Sequence, residues 1–186
     1  MKDEKRLTLI LGGARSGKSD FAQALARKRG GDAVLFVATA EARDDEMRAR
    51  IASHRAARAT EWQTLESPRD IARALGAMAG ERVIVIDCVT LWASNVLLAE
   101  KSNAPQAMSR EIDALLVWYR ANDAEMILVS NEVGMGLVPA NELGRTYRDL
   151  LGAVNKKLAE CADEVYLLVA GLPVEIKARV AQLDNL

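Results

Sequence analysis

The stretch LTLILGGARSGKS, at residues 7–19, places an apolar run directly before a glycine-rich loop. The loop fits the pattern GxxxxGK(S/T), which binds phosphates when a strand precedes it and a helix follows it. Glycines let backbone N–H groups close around phosphate oxygens, and a helix N-terminus favours anions. A glycine-rich turn with an incidental lysine is the alternative. We predict nucleotide phosphates at Gly12, Gly13, Ala14, Arg15, Ser16, Gly17, Lys18 and Ser19, with the Ser19 hydroxyl offered to Mg²⁺.

Size and composition limit the class of protein. The chain has 186 residues and is 50% hydrophobic, which predicts a single globular domain over residues 1–186. A net charge of -1 gives no general attraction to nucleic acid. No apolar segment approaches the roughly 18 residues that would span a bilayer. Cys88 and Cys161 lack metal-ligand spacing, so we expect reduced thiols in a cytoplasmic enzyme.

Short apolar runs alternate with longer segments of helical periodicity, which predicts an α/β domain with a mostly parallel sheet flanked by helices. The runs are residues 7–11, 33–38, 83–86, 126–129 and 165–169. The predicted helices are residues 19–28, 44–58, 68–78, 91–98, 105–120 and 142–161. In open sheets of this kind, ligands bind beyond the carboxyl ends of the strands. Functional residues are therefore expected just after the runs.

Asp87 directly follows the third run, VIVI. A carboxylate at the end of a buried strand is the usual partner of Mg²⁺ or of its bound water in phosphate-loop enzymes. The same side chain could cap the following helix, and the two roles can coexist. We predict that Ser19 and Asp87 hold Mg²⁺ together.

The fourth run is followed by the rim segment, residues 130–139 (SNEVGMGLVP), which combines Asn131 and Glu132 with two glycines. This composition suits a flexible rim that closes over substrate, and equally an ordinary strand-to-helix turn. Arg145 and Arg148 in the next helix could reach a phosphate, but exposed arginines usually serve solubility. Neither arginine is part of the predicted site.

His54 is the only histidine, with Arg50 four residues before it and Arg58 four residues after it. On a helix these three side chains would share one face. Two neighbouring guanidinium groups would disfavour the charged imidazole and leave a neutral nucleophile suited to covalent phosphorus chemistry. A lone histidine is more often a surface or packed side chain. Spacing alone leaves both interpretations open.

A series of segments extends the pattern beyond the loop. They are GGARSGKS at 12–19, VATAEARDDEM at 37–47, RI..HR..R at 50–58, DCVTLWASN at 87–95, SNEVGMGLVP at 130–139, GRTYRDLLGAVNKKLA at 144–159 and EVYLLVAGLP at 164–173. Together they resemble the bifunctional adenosylcobinamide kinase and adenosylcobinamide-phosphate guanylyltransferase family of cobalamin biosynthesis. The resemblance covers nearly the whole chain and implies a P-loop NTPase-type (RecA-like) fold.

The resemblance implies two reactions, phosphorylation of the corrinoid adenosylcobinamide by ATP or GTP and then transfer of GMP from GTP, which gives adenosylcobinamide-GDP and pyrophosphate. It implies a covalent GMP-histidine at the matching position, His54, and a homotrimer with sites near subunit boundaries. Lys18 is the second predicted catalytic residue. Beyond the loop, the implied nucleotide contacts are Ala38, Thr39, Ala40, Arg55, Ala56, Ala57, Arg58, Glu66 and Asp87.

Two other functions stay open at this stage. A simple phosphate-loop kinase would use the loop and Asp87 with a structural His54, and it would form no covalent adduct. A nucleotide-dependent switch would instead signal closure of the rim segment to a protein partner, with no turnover of a corrinoid.

Overall fold

The computed structural model describes residues 5–56, 58–77 and 82–179, with the backbone alone at residue 50. Two residues named in the predictions therefore lie outside the described residues. They are Ala57, an implied nucleotide contact, and Met78, the predicted end of a helix.

A single seven-stranded sheet forms the centre of the described structure, in the order β3-β2-β4-β5-β1-β6-β7. The strands are β1 (Leu7–Gly12), β2 (Val34–Ala38), β3 (Gln63–Glu66), β4 (Val83–Asp87), β5 (Glu125–Val129), β6 (Glu164–Val169) and β7 (Leu172–Glu175). All neighbouring strands are parallel except the hairpin of β6 and β7. The carboxyl ends of the parallel strands therefore share one edge.

Helices cover both faces of the sheet. They are α1 (Lys18–Gly30), α2 (Asp45–Ala56), α3 (Ile71–Leu75), α4 (Val89–Glu100), α5 (Ala104–Ala121) and α6 (Glu142–Cys161). Buried apolar residues of α3 to α6 pack with one face of the sheet, and those of α1 pack with the other. The predicted α/β class with a mostly parallel sheet is confirmed. Within the described part of the chain, no helix has the length and apolarity needed to cross a membrane.

Several predicted boundaries were wrong for identifiable reasons. Strand β3 was missed because its four residues are exposed or half-buried, so it has no apolar run. Helix α3 begins only at Ile71 instead of residue 68, and the Ser67 hydroxyl donates to the Arg69 carbonyl at 2.9 Å in the turn before it. Helix α4 begins two residues earlier than predicted, directly after Asp87 and Cys88.

At the amino edge of the sheet, a cluster of polar side chains joins α1 to three strands. Arg29 donates to Glu164 at 2.6 Å, to Thr8 at 2.9 Å and to Glu125 at 3.3 Å. Burial alone would favour the neutral acid, but hydrogen bonds and charge from Arg29 hold the pKa of Glu164 below its usual value. The cluster fixes the far end of α1, whose other end is the phosphate loop.

Candidate active site

The phosphate loop, residues 12–19, joins β1 to α1 at the carboxyl edge of the sheet. Gly12, Arg15 and Gly17 have positive φ angles of 155°, 55° and 87°. At Arg15, a residue with a Cβ, this conformation costs about 1–3 kcal/mol, a strain that concentrates at functional sites. Residues 13 to 15 are exposed, so the outer part of the loop is accessible to a ligand.

The β6–β7 hairpin supports the loop from one side. A Cβ at Gly12 would lie only 2.7 Å from the Leu168 carbonyl oxygen and 2.6 Å from Ser16 Oγ, so only glycine fits there. The Gly171 amide donates to the Ser16 carbonyl at 3.1 Å. Gly171 and its neighbours lie just after the fifth apolar run, where functional residues were expected. The structure shows that the Gly171 backbone helps to hold the loop.

The Lys18 side chain lies inside the loop, and the residue is only 8% exposed. Its Nζ donates to the Gly13 carbonyl at 2.5 Å and to Ser16 Oγ at 3.3 Å. The ammonium group is thus held where the phosphates of a nucleotide would enter, which fits its predicted role.

Asp87, the last residue of β4, lies at the same edge with its carboxylate oxygen Oδ2 buried. The Ser19 hydroxyl hydrogen-bonds to its carboxylate. Burial raises the pKa of Asp87 above its ordinary value. The Ser19 hydrogen bond and the charges of nearby side chains oppose this shift without cancelling it; those side chains are His54, Arg58 and Lys18. The predicted residues from three separate elements are therefore brought together here.

Two buried side-chain atoms, Asp87 Oδ2 and Arg58 Nε, lack a hydrogen-bond partner within residues 5–56, 58–77 and 82–179. Buried polar atoms are normally paired, so unpaired ones indicate an absent ligand or a functional role. Both atoms belong to this one site.

The residues present fit Mg²⁺. The Ser19 hydroxyl and the buried Asp87 oxygen are hard oxygen donors, and Mg²⁺ is usually bound by one or two protein oxygens together with substrate phosphates and water. In the described residues, no group of three or more His, Cys, Asp or Glu side chains could hold a metal ion. A metal site completed by substrate phosphates needs no such group.

Thr39, directly after β2, holds the peptide that follows Asp87. Its hydroxyl donates to the Cys88 carbonyl and accepts from the Cys88 amide, both at 2.8 Å. Its own amide donates to the Asp87 carbonyl at 3.3 Å, and its carbonyl accepts from Asn95 Nδ2 at 2.8 Å. Thr39 stays a predicted nucleotide contact, and its hydroxyl, amide and carbonyl each also bond within the protein. The structure gives it a supporting role for Asp87.

His54 lies in the last turn of α2 on the face it shares with Met47 and Ile51, and these three side chains are half-buried. The imidazole is close enough for its charge to act on the Asp87 carboxylate. His54 therefore lies near the carboxyl edge of the sheet, where Asp87 ends β4. No described side chain of α2 is fully buried, so few apolar contacts hold this helix in place.

The predicted common face of Arg50, His54 and Arg58 was wrong for Arg58, because α2 ends at Ala56. The Arg58 guanidinium instead lies over the Phe36 ring, with Cζ 3.7 Å from the ring centroid. Burial lowers the pKa of Arg58, and the Asp87 charge opposes that shift. The partners that decide its position are thus on β2 and β4.

Two further predicted contacts pair with each other. Arg55 donates to Glu66 at 3.0 Å, and both side chains are 63% exposed. An exposed pair of this kind contributes about 1 kcal/mol or less, so a bound nucleotide could separate it at small cost. The other implied contacts, Ala38, Ala40 and Ala56, lie at the ends of β2 and α2 near the same edge.

Sequence reasoning missed two cavities on either side of Leu98. One, of about 250 Å³, is lined mainly by apolar atoms of α4 and the start of α6, with Leu143 and Tyr147. The other, of about 300 Å³, is polar and includes Arg43 and Arg69. Neither cavity includes the phosphate loop or His54. The only feature of the sequence that could have indicated these cavities was the apolar composition of α4.

This fold and site define a phosphate-loop nucleotide-binding protein of the α/β class. A solved structure of an ATPase from the type III secretion system of pathogenic bacteria has a similar fold, with a TM-score of 0.56 and 13% identity. The match covers 96% of this chain and spans 60% of that ATPase. The predicted P-loop NTPase-type fold is thereby confirmed.

The chain belongs to the cobinamide kinase / cobinamide phosphate guanyltransferase family, whose model matches residues 8–176. It is 46% identical over 170 residues to the bifunctional adenosylcobalamin biosynthesis protein CobP of Pseudomonas aeruginosa, covering 91% of this chain and 96% of that protein. It is 43% identical over 184 residues to the bifunctional adenosylcobalamin biosynthesis protein CobU of Salmonella typhimurium, covering 92% and 99%. The predicted membership of an enzyme family of cobalamin biosynthesis is confirmed.

Proposed function

We propose that this protein phosphorylates adenosylcobinamide with ATP or GTP and then transfers GMP from GTP to the product through a GMP-histidine at His54. The observation that carries this proposal is the position of the only histidine. It lies on the half-buried face of α2, within electrostatic reach of Asp87, which also lies within reach of Lys18 of the phosphate loop. A purely structural surface histidine would not need this position.

In the guanylylation step, a ring nitrogen of His54 attacks the α-phosphorus of GTP. The new N–P bond forms as the bond to the pyrophosphate oxygen breaks, and pyrophosphate leaves with that electron pair. Lys18 and Arg58 are the cations placed to stabilise the charge that develops. Ser19 and Asp87 would hold Mg²⁺, which neutralises charge on phosphate oxygens when bound. The phosphate of the corrinoid then takes GMP from the histidine.

The kinase step uses a different phosphorus, so the reacting groups must shift between the two reactions. The γ-phosphoryl group has to meet the substrate hydroxyl, with the imidazole no longer the nucleophile. Helix α2 is suited to such a shift because its described side chains are exposed or half-buried. An element with few buried contacts moves at low free-energy cost.

The test is a covalent labelling experiment. After incubation with α-labelled GTP and denaturation, wild-type protein should retain an acid-labile, base-stable label. His54→Ala should lose this label and GMP transfer entirely but keep phosphorylation of adenosylcobinamide within a few-fold. Ser53→Ala, at the exposed neighbouring position, is the matched control and should label normally.

Each rival has a distinct result in the same assay. Undiminished label in His54→Ala would exclude His54 as the nucleophile. Kinase activity without any label in wild-type protein would favour the simple kinase, and no turnover of adenosylcobinamide would favour the switch.

A homotrimer is a proposal as well, supported by exposed apolar side chains. Met135, Leu137, Val138 and Leu143 are 77%, 97%, 66% and 56% exposed. Large apolar side chains exposed together within one short segment are a common sign of contact with another molecule. Light scattering of the purified protein should give the mass of three chains, and the mass of one chain would contradict the proposal. A cytoplasmic location stays a prediction.

A further inference from the structure

We propose that Glu132 is the general base of the kinase half-reaction, taking the proton from the substrate hydroxyl as it attacks the γ-phosphorus. The inference rests on the proposed function and adds a catalytic residue to it. Phosphorylating an alcohol releases a proton, so a carboxylate beside the phosphate loop that is not engaged elsewhere is the group to look for.

The position of Glu132 follows from the order of the strands. Strand β5 lies between β1, which leads into the phosphate loop, and β4, which ends at Asp87. Neighbouring strands are about 4.8 Å apart, so a residue just beyond β5 lies between the loop and the metal-binding carboxylate. The Glu132 amide donates to the Gly12 carbonyl at 3.0 Å, which fixes its backbone against the first residue of the loop.

The carboxylate of Glu132 is held in a definite orientation. Its Oε1 accepts a hydrogen bond from the Gly134 amide at 2.5 Å. A Cβ at residue 134 would lie 2.9 Å from that oxygen, so the absence of a side chain at Gly134 leaves room for the carboxylate. In the part of the chain that the structure describes, Oε2 makes no hydrogen bond with protein and could accept a proton. The residue is half-buried, so a substrate can reach it.

Four other carboxylates at this edge are bonded to side chains. Asp87 accepts from Ser19, Glu66 pairs with Arg55, Glu41 pairs with Arg43, and Asp45 pairs with Arg48. Asp20, Asp44 and Glu46 are not paired in this way, but they are exposed on or beside helices, whereas Glu132 is half-buried. The bond from its amide to Gly12 also holds Glu132 against the phosphate loop, which makes it the carboxylate suited to proton transfer.

In the proposed step, the hydroxyl proton moves to Glu132 Oε2 while the hydroxyl oxygen forms a bond to the γ-phosphorus. The bond from that phosphorus to the bridging oxygen breaks, and the nucleoside diphosphate leaves with the electron pair. His54 and Arg58 interact with Asp87 from the β2 and β4 side, whereas Glu132 lies on the β5 and β1 side. The nucleophiles of the two half-reactions, the His54 imidazole and the substrate hydroxyl, thus approach one nucleotide from different flanks.

The experiment separates the two half-reactions with Glu132→Gln. This change keeps an oxygen for the Gly134 amide but removes the base. We expect phosphorylation of adenosylcobinamide to fall about 100-fold or more. GMP labelling of His54, and GMP transfer to adenosylcobinamide phosphate supplied directly, should stay within about threefold of wild type, because base catalysis of the kinase step has no part in them. Glu132→Asp, which keeps a base on a shorter side chain, should show an intermediate kinase loss.

Glu61→Gln is the matched control, an exposed glutamate far from the loop, and it should leave both activities unchanged. Kinase activity near wild type in Glu132→Gln would overturn the assignment. An equal loss of both half-reactions would overturn it too, because Glu132 would then act on nucleotide or metal binding. Failure of the proposed function is distinguishable, since wild-type protein itself would then lack kinase activity or label.

Discussion

Asp87→Asn is expected to lower both half-reactions at least about 100-fold, because it removes a charge that holds the metal and phosphates in place. The same change should make the protein without nucleotide slightly more resistant to unfolding at neutral pH. Asp87 is buried with an unpaired oxygen, and its pKa is raised above the ordinary value by that burial. Catalysis and stability should therefore respond in opposite directions.

The sign of the stability effect follows from the direction of the pKa shift. A raised pKa means that the folded state binds the proton more tightly than the unfolded state, so ionising Asp87 costs stability. The cost is complete above the folded pKa and absent below the unfolded pKa, which is about 3.9 for Asp. Asp87→Asn should gain stability over wild type at neutral pH and lose that advantage by about pH 3.5.

Urea unfolding at the two pH values, together with rates of both half-reactions, measures these effects. Asp32→Asn is the control, because Asp32 is exposed and forms only a surface pair with Arg27. It should leave both rates unchanged. The thermal shift produced by Mg²⁺ with nucleotide should also disappear in Asp87→Asn. An Asp87→Asn protein that keeps this shift and its activity would show that the metal is held elsewhere.

The parts of the site that the sequence predicted are those set by local pattern. An apolar strand, a glycine-rich loop and a helix follow one another within residues 7–30, so the loop could be recognised without knowledge of distant contacts. Asp87 was found because parallel strands end at a common edge. Strand β3 escaped because an edge strand needs no apolar run.

The parts that were not predicted depend on partners far apart in the chain. No sequence pattern indicated that the Thr39 hydroxyl bonds to Cys88, 49 residues away in sequence. Arg58 was expected on α2, but Phe36 and Asp87 determine its place instead. Glu132 drew attention as part of a flexible rim, and its distinguishing features are a bond to Gly12 and an unengaged oxygen. Such roles appear only when the sheet brings the elements together.

Lys18→Met is expected to lower both half-reactions at least about 100-fold, because one ammonium group serves the phosphates in each transfer. Lys18→Arg should not restore activity. The side chain is enclosed by the loop and bonded to Gly13 and Ser16, so a planar guanidinium lacks the space that a compact ammonium uses. Lys28→Met, on the exposed part of the same helix, is the control and should be fully active.

Single-turnover rates of the two transfers, measured separately, show whether Lys18→Met impairs one half-reaction or both. If one loop holds the triphosphate for both reactions, Lys18→Met must impair phosphorylation of adenosylcobinamide and GMP labelling of His54 together. Near wild-type labelling in Lys18→Met would mean that the GTP attacked by His54 is held outside the loop. Two nucleotide sites would then be needed, and the approach of two nucleophiles to one nucleotide from different flanks would be wrong. Parallel loss in both assays is the result that a single phosphate loop at the end of β1 requires.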